Sequence, residues 1–178
     1  MESKADVENV AKTQMDNRLA KAKPTKLGWS PDEVERISHA LNEVLANYSV
    51  HYQKLRNYHW NVKGSDFFDL HEQFEELYTE TLVNIDELAE RIRVFGQTPL
   101  STLKDYLTVS TIKETGTDLE SSTMVREVLS DFTILLHFMA DTVHAASEQG
   151  DSGTEEMIKK FINKLEKHHW MLTAFLAK

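Results

Sequence analysis

Cysteine is missing from all 178 residues, which excludes disulfides, thiolate metal ligands and thiol nucleophiles. Glycine and proline are scarce, six and three, so the chain lacks the turn chemistry that separates many short strands and reads as helical. No apolar run is long enough to span a bilayer, and the opening MESKADVENVAKTQ lacks the apolar core of a secretion signal. The expected compartment is therefore the cytoplasm, with no membrane partner. Basic residues are the minority, 20 against 29 acidic, for a net charge of −9. That argues against a general nucleic-acid-binding surface and for attraction of cations. The imbalance is uneven: residues 1–27 hold six basic and four acidic side chains, a balance of +2, which leaves −11 on the rest. Glycine-rich phosphate loops and serine–histidine hydrolase patterns are also missing.

What is present is a helical period. Residues 1–28 show weak periodicity and few large apolar side chains, as expected of a mobile arm. Ser30, Pro31 and Glu33 then combine an N-cap, a proline at the first helical position and a capping-box glutamate. A stripe of Ile37, Leu41, Val44, Tyr48, Leu55 and Val62 follows, at the spacing of a long bundle helix ending near Gly64. Gly64 and Ser65 read as a helix stop and the next N-cap. The second helix, Phe67 to Phe95, carries Phe67, Leu70, Phe74, Leu77, Thr81, Ile85, Leu88 and Ile92 inward, and Gly96 and Pro99 stop it. From Pro99 to about Ser121 the connection is too long for a plain loop and holds a short helix over Ser101–Leu107. Two further helices, about Ser122–Glu148 and Thr154–Leu176, bury Val125, Val128, Phe132, Leu135, Met139 and Val143, and Ile158, Phe161, Leu165, Leu172 and Leu176. The expectation over residues 29–178 is all-α: a ferritin-like four-helix bundle with one long crossover containing a short helix.

The chemistry is concentrated between Tyr58 and Gly96. His71, Glu75, Asp86 and Glu90 are offset by four, fifteen and nineteen residues, so at about 100° per residue they share one face of the second helix. His59 stands opposite His71 across the glycine turn. Such a face could simply be solvated; His59 tips the reading toward a metal, since imidazoles and carboxylates together suit Fe(II), Zn(II) or Mn(II). At 1.5 Å per residue, however, His71 and Glu90 lie about 28 Å apart, too far for one ion. Two copies meeting antiparallel across a two-fold axis would bring the histidine end of one to the carboxylate end of the other, making two equal sites. Few protein ligands leave positions open for oxidant and water. Glu72, Glu75 and Glu76 form an acidic patch, either plain surface or, in a cage, an inner wall where ferric ions nucleate. His137, Asp141, His144 and Glu148 have metal-ligand spacing on the third long helix, but this is also the commonest layout of a wet helix face, and that reading is preferred. Glu166 and His169 are the only Glu-x-x-His pair, where an in-chain di-iron site needs two.

HWNVKGSDFFDLHEQFEELY, then DELAERI, then EKHHWMLTAFL resemble the Dps family, the mini-ferritins named for DNA-binding proteins from starved cells, over about residue 30 to the end. The resemblance implies a hollow dodecamer whose ferroxidase centre lies at the dimer interface. It implies His59 and His71 from one subunit and Asp86 and Glu90 from its two-fold mate as iron ligands. Glu75 falls where the family usually has an aspartate supporting the centre, and Trp60 resembles the tryptophan beside it. Asp151, Glu155 and Glu156 resemble the acids lining three-fold pores that admit iron. The activity implied is oxidation of Fe(II), preferably by hydrogen peroxide, with ferric mineral stored inside as protection against oxidative stress; zinc is a further ion for the same site. The alternative is a cage that coats DNA and associates with the nucleoid, for which the acidic body predicts weak binding.

Overall fold

The computed structural model describes residues 28–177. The expected mobile arm at 1–28 thus lies, but for Gly28, outside the described residues. Among them are five helices and no strand: α1 Pro31–Asn61, α2 Phe67–Val94, α3 Leu103–Val109, α4 Ser121–Gln149 and α5 Ser152–Leu176. Four are long, and α3 is the short helix of the crossover, so the all-α bundle expected from the pattern is what forms. None of the described helices is long and apolar enough to cross a membrane.

Local chemistry accounts for most boundaries. α1 starts at the capping box: Glu33 N–H donates to Ser30 Oγ at 3.3 Å, and Ser30 N–H donates to Glu33 Oε2 at 2.7 Å. The N-cap expected at Ser65 is not there. Asp66 holds that position, and its side chain caps no α2 amide. Its oxygens instead accept from Ser65 Oγ at 3.1 Å and Ser121 Oγ at 2.9 Å, which ties the start of α2 to the start of α4. Gly64 (φ +102) supplies the left-handed turn between α1 and α2. The crossover helix begins two residues later than expected because Thr102 caps it through Asp105 N–H at 3.2 Å. α5 begins earlier because Asp151 caps it, accepting from Thr154 N–H at 3.1 Å.

The α1 stripe is fully buried, with Leu41, Val44 and Leu55 at 0% exposure. Phe67, Ile85, Val143 and Leu176, expected inward, are only half-buried against the core. Polar groups lock the register of the bundle. Asn47 Oδ1, on a buried residue, accepts from Ser110 Oγ, Thr111 N–H and Ile112 N–H at 3.0–3.1 Å, pinning the crossover to α1. Between α1 and α4, Asp131 is 3% exposed and accepts from His51 Nδ1 at 3.0 Å and Lys54 Nζ at 2.9 Å. A buried carboxylate is tolerated because both oxygens have charged or polar donors. One turn on, Tyr58 donates to Glu127 in a short hydrogen bond, and burial pushes the Tyr58 hydroxyl pKa well above the phenol range, with the Glu127 contact adding to it.

Candidate metal centre

The end of α1 and the first turns of α2 form a donor cluster. His59 lies in the last turn of α1, where backbone carbonyls have no partner within the helix. His71 Nδ1 is 2.8 Å from the His59 carbonyl, and His59 Nδ1 is 2.8 Å from the His71 carbonyl. A carbonyl only accepts, so each Nδ1 carries its hydrogen, and in the neutral ring each Nε2 lone pair is left open for a cation. The reciprocal bonds also hold the rings parallel, centroids 3.8 Å apart and planes 21° from coplanar. Glu75 completes the group: one donor atom from each of His59, His71 and Glu75 lies within 4.8 Å of the others. The only group of three or more such donors among the described residues is this one.

Two aromatic side chains support it that the sequence pattern did not single out for the site. Phe67, one turn before His71, stacks on the His71 ring at 5.0 Å. Tyr78, one turn after Glu75, donates its hydroxyl to Glu75 Oε1 at 3.2 Å and sets its ring edge-on to His59 at 5.3 Å. The Tyr78 hydroxyl pKa lies above the ordinary phenol value, through desolvation first and then the Glu75 charge. The offsets of four and three from site residues were the available signal for both.

Asp86 and Glu90 are exposed on α2 and outside this cluster, about 22 and 28 Å along the helix from His71. Glu72 and Glu76 are also exposed. Trp60 is 58% exposed beneath the Arg56 guanidinium, which sits 4.7 Å from its ring and also covers Tyr52. Beside Trp60 runs a groove of about 590 Å³, lined in part by Tyr52, Arg56, Leu82, Leu103 and Leu107. Leu82, Leu103 and Leu107 are 50%, 79% and 47% exposed, so an apolar surface begins at Trp60, the residue after His59.

The three acids expected at a pore divide. Asp151 is 2% exposed, caps α5 and pairs with Arg91, while the Arg91 guanidinium fills the space a Cβ at Gly153 would need. Capping and ion pairing draw its carboxylate inward. Glu155 and Glu156 pair with Lys159 and Lys160 one turn on. Their side chains border a depression of about 410 Å³. His169 lies 3.5 Å from Thr173 Oγ1, while its neighbour His168 is buried and reaches Glu80 at 3.4 Å. That contact leads the causes, with Lys164 among them, that hold the Glu80 carboxyl below the usual range.

Residues 38–178 match the family model described as a ferritin-like domain. The chain is 43% identical over 143 residues to general stress protein 20U of Bacillus subtilis (strain 168), covering 80% of this chain and 99% of that protein. It is 41% identical over 142 residues to DNA protection during starvation protein 2 of Bacillus anthracis, covering 80% and 97%. The crystal structure of a DPS protein from Vibrio cholerae O1, described as a member of a superfamily of ferritin-like diiron-carboxylate proteins, superposes with a TM-score of 0.84. Identity to it is 39%, with 88% of this chain and 99% of that one covered.

Proposed function

The chain belongs to the Dps family of ferritin-like proteins, and from that premise we propose that it is an iron-oxidising and iron-storing cage protecting against oxidative stress. Fe(II) is its substrate and hydrogen peroxide its preferred oxidant. The observation that carries this reading is the half-site at His59 and His71. Two imidazoles are held with Nε2 open beside Glu75, and the same helix presents Asp86 and Glu90 unpartnered by that cluster and too distant to join it. An antiparallel second copy supplies what is missing: its Asp86 and Glu90 face this chain's His59 and His71, and the relation repeats across the axis. The apolar groove beside Trp60 is the surface such a copy would cover, and six dimers of this kind make the family's dodecamer.

In this reading the imidazoles and carboxylates hold two Fe(II) ions side by side. Each gives one electron to a single peroxide; the O–O bond breaks, two protons are taken up, and two waters form with no hydroxyl radical released. Open coordination positions admit the oxidant. Glu75, steered by Tyr78, supports the centre; Trp60 takes up stray oxidising equivalents; Glu72, Glu75 and Glu76 seed ferric mineral; and Glu155 and Glu156 line the route by which iron arrives. The test is stopped-flow oxidation of Fe(II) by peroxide. Two irons consumed per peroxide, with the rate lost in Asp86→Ala/Glu90→Ala, supports the reading, and an unchanged rate in that variant sinks it.

A second reading, a cage that coats DNA, draws on the basic balance of residues 1–27 multiplied over many subunits. The acidic body opposes it, so DNA binding is expected to be weak and to vanish with added salt. A tight gel shift at physiological salt would reverse that order.

A further inference from the structure

The donor cluster at His59 and His71 is the inner end of a run of π-systems that metal binding does not need. Tyr78 sets its ring edge-on to His59, centroids 5.3 Å apart, and Tyr52 sets its ring edge-on to Tyr78 at 6.1 Å. The Arg56 guanidinium then lies over Tyr52 at 5.3 Å and over Trp60 at 4.7 Å. His59 is buried, Tyr78 and Tyr52 are half-buried and Trp60 is exposed, so the run leads from the metal donors to the surface. The other three of the five tyrosines turn elsewhere. Tyr48 packs on Phe161, Tyr58 packs on Phe74, and Tyr106 donates to the Leu100 carbonyl.

Electron counting gives the run a use. Peroxide needs two electrons to become two waters. A centre holding two Fe(II) supplies both; a centre holding one supplies only one, and the other must come from the protein or a hydroxyl radical escapes. Because the chain has no cysteine, its phenols and indoles are the side chains that give up one electron most readily. Tyr78 borders His59, and its hydroxyl has a proton acceptor in Glu75 Oε1 at 3.2 Å. The guanidinium adds a second constraint. A cation over a ring face opposes positive charge on that ring, so oxidation can pass through Tyr52 and Trp60 only as neutral radicals, each losing a proton along with its electron.

We propose that Tyr78, Tyr52 and Trp60 are relay residues that supply the second electron when a centre holds a single iron. The relay presupposes the iron-oxidising reading. Its first step balances: Fe(II), the Tyr78 phenol, one peroxide and one proton from solvent give Fe(III), a neutral Tyr78 radical and two waters, the phenol proton passing to water by way of Glu75. The O–O bond breaks and no hydroxyl radical remains. Tyr52 then returns an electron and a proton to Tyr78, and Trp60 does the same for Tyr52. A neutral indole radical is left at the exposed end, and neither phenol is consumed.

The test is freeze-quench electron paramagnetic resonance on the assembled full-length protein, mixed with peroxide at less than one Fe(II) per centre. Ring-deuterated tyrosine or tryptophan narrows the signal of its own radical and so assigns the spin. Wild type should give a tryptophan radical. Tyr52→Phe keeps the ring but has no O–H to give up, so the tryptophan signal should be lost and a tyrosine signal should stand in its place. Trp60→Phe should also lose the tryptophan signal, and Trp170→Phe should keep it. A tryptophan signal that survives Tyr52→Phe or Trp60→Phe overturns the relay, as does the absence of any protein radical in wild type while iron is oxidised. Iron oxidation at two Fe(II) per centre is followed in the same preparations. Its absence from wild type sinks the iron-oxidising reading itself, whereas its presence beside either of those results sinks the relay alone.

Discussion

The two ends of α2 offer donors of comparable chemistry in different surroundings. At the first end, His71 is tied to His59 by two carbonyl hydrogen bonds, stacked on by Phe67, and joined by Glu75 under Tyr78. At the other, Asp86 and Glu90 are exposed and belong to no donor cluster. A hairpin can orient its own imidazoles because the turn at Gly64 brings them face to face. It cannot bring up carboxylates about 28 Å further along the same rod. The histidine half sets angles and tautomers within one chain, and in the proposed dimer the carboxylate half is the part that a second copy brings to it.

The largest expected effect breaks the comparison outright. A chain with His59→Ala/His71→Ala and one with Asp86→Ala/Glu90→Ala should each lose iron oxidation, yet refolding them together at equal amounts should restore about a quarter of the wild-type rate. Half the dimers are then mixed, and each mixed dimer holds one complete site of two. A mixture as inactive as its components would show that the two ends do not meet across subunits. Next in size is the frame behind the histidine end. Asp131→Ala leaves buried Lys54 with only the Glu127 carboxylate at 4.0 Å and removes the acceptor of His51 Nδ1, and denaturant unfolding should register a loss of about 3 kcal/mol, the low end for breaking a buried pair; a loss under ~1 kcal/mol would mean that Glu127 compensates Lys54 by itself.

A smaller effect sharpens the contrast. Tyr78→Phe removes the hydroxyl that steers Glu75 and should cut metal affinity at the histidine end about tenfold while leaving the fold unchanged. Calorimetric titration measures it, and equal affinity would reduce Tyr78 to packing. The smallest concerns Glu80, whose carboxyl pKa is held low first by His168. A depressed carboxyl pKa adds stability above the unfolded value of about 4.3, and that gain is lost as pH falls through the folded value. Because Glu80 is partly exposed, Glu80→Gln should cost less than ~1 kcal/mol at pH 7 and flatten the acid limb of thermal stability. An unaltered acid limb would count against that linkage.

What could be read without coordinates was whatever depends on spacing along one helix. The apolar stripes gave four long helices because burial recurs every three or four residues, and the rise per residue alone separated His71 from Glu90. His59 and His71 could be paired because one glycine turn lies between them. Ser65 misled, since its hydroxyl turned to the neighbouring Asp66 and the cap position moved on by one residue. The placement of Asp151 was out of reach for a longer-range reason: Arg91, sixty residues away, draws its carboxylate inward.

The sequence by itself determined the helices, their inward faces, the shortage of basic charge on the body and the division of donors between two distant ends of α2. Only the tertiary structure decided that both Nδ1 atoms are committed to carbonyls and both Nε2 atoms are open. It also decided that Asp131 holds His51, and that an apolar groove runs beside Trp60. The physical reason is reach. A helix's rise and turn carry information over a few residues with little error. Which side chains meet across helices 80 residues apart depends on how whole packed faces settle against each other.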